Sequence, residues 1–235
     1  MMNKRIIFSL MILASCLCAH GQGIAIYKRN GDVVRMLNAE LDSIVAFDSE
    51  LGGHKAVDLG LSVKWADCNL GAATPMASGD YYAWGDTETK DEYTLLNCRM
   101  RDVHRNSLRL RGVTDEHNSL MMRYDAARQL WSGTWRMPTS LEFNELRTKC
   151  TWLWVTIAGV NGYRVTGPNG NSIFLPAAGF RRETERSGEG EVGYYWSATA
   201  YHDYNSSESL FFYSSFVDWY NDHRMMGFPI RAVAE

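Results

Sequence analysis

The sequence has no G-x-S-x-G, H-E-x-x-H, C-x-x-C or P-loop, and no cysteine after Cys150. The first absences leave a hydrolase, a zinc protease or a nucleotide-driven enzyme without its usual local signature, so any such chemistry would need residues that only the fold brings together. Positive charge is not in excess either: the formal net charge is −3. That balance argues against nucleic acid and anionic membranes as partners. With 46% hydrophobic and 22% charged residues, the composition matches neither a disordered chain nor a membrane bundle.

What the chain does have begins with a leader. Lys4 and Arg5 precede the uncharged apolar run Ile6–Cys18, too short to span a bilayer, so residues 1–21 read as a signal peptide. Two endings compete. Ala19-His20-Gly21 is a small-x-small site with cleavage before Gln22, whereas Leu13-Ala14-Ser15-Cys16 resembles a bacterial lipobox in which Cys16 is lipidated. The first is preferred because the apolar run continues past Cys16 and no tether follows it. Either way the protein is expected to be exported, to the periplasm, the outer membrane or cell surface, or the medium. A lipid at Cys16 is the only membrane attachment foreseen. Removing residues 1–21 takes away Lys4 and Arg5 and no acid, so the charge goes from −3 to −5. Cys68, Cys98 and Cys150 then remain. An oxidising compartment permits one disulfide, expected as Cys98–Cys150, with Cys68 a buried thiol in an apolar-flanked run.

Residues 22–50 read as a small β unit. Ile24–Lys28 and Val33–Leu37 flank Asn30-Gly31, a hairpin signal because a type I′ turn needs φ > 0 at both central residues. A third short strand is expected at Ile44–Phe47, and so small a sheet is marginal alone. The linker Asp48–Lys55 leads into the main domain, residues 56–235. Its most informative stretch is Trp131–Cys150, WSGTWRMPTSLEFNELRTKC. Thr139 and Glu142 have capping-box spacing, which starts a helix reaching Cys150 with Phe143, Leu146 and Cys150 on its dry face. A shorter helix, Tyr124–Leu130, is closed by Ser132-Gly133. Strands are expected over Leu59–Trp65, Tyr81–Gly85, Thr151–Val155, Gly162–Thr166, Ser172–Pro176, Tyr194–Thr199, Ser209–Phe216 and Gly227–Val233. Lys90–Asn118, with five arginines between Arg99 and Arg111, reads as a solvated insertion, and Arg181–Gly193 as a charged loop. Short strands around two helices make an α+β domain with a mostly antiparallel sheet.

The blocks VDLGLSVKWADCNLGA, GDYYAWGDTET, DAARQLWSGTWRMPTSLEFNEL, NGYRVTGPNGNSIFLPAAGFR, GYYWSAT and GFPIRAV resemble the Fibrobacter succinogenes major paralogous domain family. That family is found in exported Bacteroidetes proteins, and the likeness runs from residue 56 to the C-terminus. It implies a C-type lectin-like fold, with paired terminal strands, two helices and a loop region used for binding. Arg136–Phe143, RMPTSLEF, is also similar to a block of formylglycine-generating, sulfatase-modifying enzymes. Those enzymes need late cysteines for copper, and here none follows Cys150, so no catalytic residues are assigned.

Three local motifs carry less. Gly188–Gly193 spells G-x-G-x-x-G but precedes an aromatic strand and holds two glutamates, so it reads as a flexible loop rather than a phosphate cradle. Trp219-Tyr220-Asn221-Asp222 resembles the W-N-D of calcium-dependent lectins, yet the accompanying acid is missing beside Pro168-Asn169. A polar turn is preferred to a calcium site, and no cofactor or metal ligand is assigned. His202-Asp203 and Asp222-His223 lack ligand spacing. The expectation is a non-catalytic binding module for a glycan or surface protein, with Tyr194, Trp196, Trp219, Tyr220, Asn221 and Asp222 as its candidate contact residues. A sulfatase-modifying-type scaffold and an assembly subunit are the alternatives.

Overall fold

The computed structural model describes residues 23–27, 33–37 and 54–235. The chain divides into two units, Met1–Ala46 and Phe47–Glu235. In the first, β1 (Gly23–Tyr27) pairs antiparallel with β2 (Val33–Leu37), the hairpin that Asn30-Gly31 leads one to expect. The leader, Cys16 and the expected strand Ile44–Phe47 lie outside the described residues.

The second unit is α+β, and its strand pairs are all antiparallel. Its ends meet in one small sheet, where β4 (Lys64–Ala66) lies between β3 (Ala56–Val57) and β13 (Val233–Ala234). Two three-stranded meanders follow the same rule of adjacency. One is β5 (Thr151–Ile157), β6 (Val160–Thr166) and β7 (Ser172–Pro176). The other is β10 (Val192–Ala200), β11 (Ser206–Tyr213) and β12 (Phe216–His223). Between β5 and β6 the turn residues Ala158 and Gly159 both have positive φ, 48° and 80°, as a two-residue hairpin demands.

Helices α1 (Arg105–Leu110), α2 (Ala126–Trp131) and α3 (Ser140–Lys149) connect these sheets. The capping box at α3 is complete: Glu142 N donates to Thr139 Oγ1 at 3.3 Å, and Thr139 N donates to Glu142 Oε2 at 2.7 Å. The same carboxylate accepts a two-pronged bond from Arg136, at 2.8 and 2.6 Å, which ties the extended Trp-Arg-Met-Pro segment to the helix. Phe143 and Leu146 are fully buried, while Cys150 only caps the helix end. Asp125 caps α2 through Arg128 N and also accepts from Met137 N at 2.9 Å, so one buried carboxylate joins α2 to that segment.

Two hydrophobic clusters lie on either side of β10. Tyr195 joins the cluster of Leu59, Trp65, Phe143, Tyr163 and Phe212. Trp196, the next residue, joins the cluster of Trp84, Trp131, Trp135, Phe228 and Ile230. Strand alternation alone explains the division, since successive side chains leave opposite faces. Two buried arginines stitch the irregular segments to these clusters without a carboxylate. Arg231 donates to Asn69 Oδ1 and to the carbonyls of Ala66, Asp67 and Phe174, at 2.8 to 3.1 Å. Arg224 lies over the Trp84 ring at 5.2 Å, and its guanidinium donates to the carbonyls of Met100, Val103 and Tyr204.

Several expectations need correction. Residues 90–118 are not a solvated insertion: their arginines are mostly exposed, but Met100, Val103, Leu108 and Val113 are buried in the cluster around Trp84. Arg181–Gly193 is largely ordered as the hairpin of β8 (Phe180–Arg182) and β9 (Glu185–Ser187), and its glycines form a hydrogen-bonded turn before β10. Tyr81–Gly85 makes only a single bridge, Tyr82 to Phe228. The Cys98–Cys150 disulfide is absent, and both thiols are free. Cys98 is buried near Asp86 in the loop before α1, whereas Cys150 ends α3 against the Trp65–Phe143 cluster, so different elements hold the two sulfurs. Cys68 is a buried thiol as expected, and burial pushes it up to about 11.

Candidate functional site

The β10–β12 sheet concentrates the predicted residues, and its register assigns each to a face. Tyr194 pairs with Phe211, Phe211 with Asp218, Ser209 with Tyr220 and Tyr213 with Phe216. Directly paired residues share a face, so Tyr194, Phe211, Tyr213, Phe216 and Tyr220 project together. Tyr195, Leu210, Phe212 and Trp219 project from the other face, onto the cluster under α3.

Those five rings form one contact network centred on Phe211. Its centroid lies 4.7 Å from Tyr194, 5.9 Å from Tyr213, 6.3 Å from Phe216 and 5.4 Å from Tyr220. Tyr213 and Phe216 stack on each other at 5.3 Å. Tyr213, Phe216 and Tyr220 remain 40, 38 and 53% exposed, although all three are large aromatics. Adjacent exposed aromatics of this kind make the face a candidate contact surface.

The six sequence candidates separate into three groups. Tyr194, Tyr220 and Asp222 belong to the aromatic face. Trp219 and Asn221 fall on the opposite face, where they line a cleft beside α3. Trp196 is fully buried, stacked on Phe228 at 4.3 Å with its indole N–H donating to Tyr82 O. It therefore cannot contact a ligand, which corrects its assignment. Trp219–Asp222 is also not a polar turn, because all four residues lie within β12. Asn221 and Asp222 consequently project to opposite faces, and their oxygens diverge. Among the described residues there is no group of three or more metal-ligating side chains.

Asp222 gives the aromatic face its only nearby half-buried carboxylate with a hydroxyl partner. Ser209 Oγ donates to its Oδ2 at 2.6 Å. Burial raises its pKa, outweighing that bond and the neighbouring His223. Tyr194 is pushed up to about 12, chiefly by burial and further by Asp222 and Tyr220. No lysine or arginine forms an ion pair with Asp222 among the described residues. His202 stacks on Tyr201, and Asp203 caps its own turn through Asn205 N and Ser206 N, so that pair forms a local turn.

Phe211, Tyr213 and Phe216 were missed as contact residues. Their signal was present as two alternating runs around Ser214-Ser215, which read instead as one strand ending at Phe216. Splitting the run at the serines would have placed all three on the face of Tyr220.

Residues 164–233 match the family described as a domain of unknown function (DUF8237). The match reaches from within β6 to the first residue of β13, so it contains the whole aromatic face. No curated protein matches the chain, and no solved structure does.

Proposed function

We propose that the chain is an exported, non-catalytic recognition module that binds a glycan or protein segment at the cell surface through the β10–β12 sheet. The observation carrying this reading is the network of Tyr194, Phe211, Tyr213, Phe216 and Tyr220, held on one sheet, of which Tyr213, Phe216 and Tyr220 are left open to solvent. Rings presented this way offer large contact area at low entropic cost, and they stack equally well on a pyranose or on apolar side chains. The C-type lectin-like assignment is part of the proposal. It is supported by the pairing of β4 with β13, which brings the two ends of the unit together. Export rests on the leader sequence, and the non-catalytic reading rests on the lack of any cysteine after Cys150.

Glycan and peptide arrays probed with the full mature chain test the reading. A Phe216→Ala, Tyr220→Ala double variant is expected to lose the bound subset while keeping its melting temperature. Binding indifferent to both rings, or no binding on either array, overturns it.

A further inference from the structure

The edge of the sheet beside the aromatic face has its own chemistry. β12 is the terminal strand of the β10–β11–β12 order, with no strand on its outer side among the described residues. The register shows which of its backbone groups face outward. Arg224 N donates to Asn205 O at 2.8 Å, and the pairing continues without a bulge from Ser206↔His223 to Tyr213↔Phe216. In an antiparallel ladder, hydrogen-bonded and non-hydrogen-bonded pairs alternate. Arg224, Asp222, Tyr220, Asp218 and Phe216 therefore bond to β11, whereas Val217, Trp219 and Asn221 turn their N–H and C=O groups away from the sheet. Trp219 confirms this, because its N–H is taken by the adjacent Asp218 carboxylate at 2.8 Å. No protein partner meets the outward groups of Val217 and Asn221 among the described residues.

Beside this edge lies a cleft of about 320 Å³, walled by Ser140, Leu141 and Asn144 of α3, by Tyr201 and Glu208, and by the Trp219–Asn221 stretch of β12, whose Tyr220 thus borders both the cleft and the aromatic face. Helix α3 packs over β10 and β11 and reaches β12 through Phe143 against Trp219 and Arg147 towards Asp218. A strand added along β12 would alternate its side chains between this cleft and the aromatic face, since alternation is fixed by the pleat. Charge selects among such strands. Glu208 is the one carboxylate lining the cleft, has no ion pair among the described residues, and lines it together with apolar Leu141 and Trp219. Asp218 and Asp222 follow along β12. Arg147 of α3 is directed at Asp218 (3.8 Å) and Asn144.

We infer that β12 and the cleft beside α3 form a β-augmentation site for an extended peptide of a partner protein. Its residues alternate between Lys or Arg, directed into the cleft at Glu208, and apolar side chains laid on Phe216 and Tyr220. Main-chain bonds to the N–H and C=O groups of Val217 and Asn221 and to the Trp219 carbonyl supply sequence-independent affinity, the Trp219 N–H being held by Asp218, and the alternate side chains supply selection. A lysine suits the cleft because its stem can lie on Leu141 and Trp219 while its ammonium reaches the carboxylate. This inference rests on the recognition reading above and names its ligand class.

The test uses the full mature chain and a labelled, end-blocked peptide of alternating Val and Lys, as long as β12, followed by fluorescence anisotropy. Saturable binding is expected. Asn221→Pro removes an outward N–H, a change edge strands tolerate, and Asn221→Ala, which loses the same carboxamide from the cleft wall but keeps the N–H, is its reference. Relative to Asn221→Ala, the proline variant should weaken binding about tenfold, the weight of one main-chain hydrogen bond. Glu208→Gln should weaken the Val-Lys peptide but not a Val-Ser peptide. In the unaltered protein, hydrogen exchange at the Val217 and Asn221 amides should slow when peptide is added, a readout that survives any misfolding of the proline variant. An unbound Val-Lys peptide, or amides that exchange at an unchanged rate, overturns the inference. If glycans still bind in a Tyr220-dependent way while the peptide does not, the augmentation site fails and the recognition reading stands. If neither binds, both fail.

Discussion

Trp196 and Tyr220 stand on the same face of the same sheet, joined through Ser209, yet one is sealed and the other open. The difference comes from what crosses above them. Over β10 runs the returning segment Gly227–Ile230, whose Phe228 stacks on both Trp196 and Tyr194. Over β11 and β12 nothing comparable passes among the described residues, and the rings there cover only one another. A single face is thus buried as core at one end and exposed to solvent at the other. Residue type does not separate the two ends, and coverage does.

Breaking the sealed end should have the largest effect. Trp196→Ala removes a fully buried indole, its stack on Phe228 and its bond to Tyr82 O. Loss of about 3–5 kcal/mol is expected by chemical denaturation. Crossing to the other side of β10 gives a smaller but steric effect. A Cβ on Gly193 would come within 2.1 Å of the Phe212 ring, so Gly193→Ala must push Phe212 out of the packed cluster. A cost of roughly 1–3 kcal/mol is expected from the same measurement.

The ionisable groups sharpen the contrast through pH. Burial alone would raise Glu142, but the Arg136 guanidinium and the Thr139 backbone N–H outweigh it and hold the carboxyl below its usual range. A depressed folded pKa means stability that is present above the ordinary glutamate range and lost as pH falls through the folded value. Asp222 has the opposite sign: burial raises it, so its contribution is present below the ordinary aspartate range and lost as pH rises through the folded value. Stability titrated from neutral to acid pH should therefore fall less in Glu142→Gln than in the unaltered chain, and more in Asp222→Asn. The smallest effect belongs to the open end. Tyr220→Ala should change stability by no more than about 0.5 kcal/mol, as surface substitutions do, while ligand binding is lost. A destabilisation as large as that of Trp196→Ala would show that the ring is core after all.

Much of the frame was legible because it is local. The capping box at Thr139 and Glu142, the Ser132-Gly133 break and the Asn30-Gly31 hairpin depend on residues a few positions apart, and each is present as the spacing implies. The Arg136–Glu142 tether is short-range as well, since the carboxylate sits six residues on. The candidate site was half legible. Tyr194, Tyr220 and Asp222 share the aromatic face; Trp196 stands on it too but is sealed by Phe228, and Trp219 lies on the other face. Alternation cannot reveal which face is covered, because the covering chain comes from Gly227–Ile230 and α3, far along the sequence. The disulfide failed for a related reason: pairing depends on where two elements pack, and Cys98 and Cys150 went to different neighbourhoods.

Composition and short-range spacing determined the α+β class, the antiparallel habit and the helix caps. Those properties follow from hydrogen bonds and sterics between near neighbours. Tertiary structure decided which aromatics became core and which became surface, and it placed Glu208 and the outward backbone of β12 along one cleft. Burial and edge exposure are set by what packs across a strand, and that partner lies elsewhere in the chain.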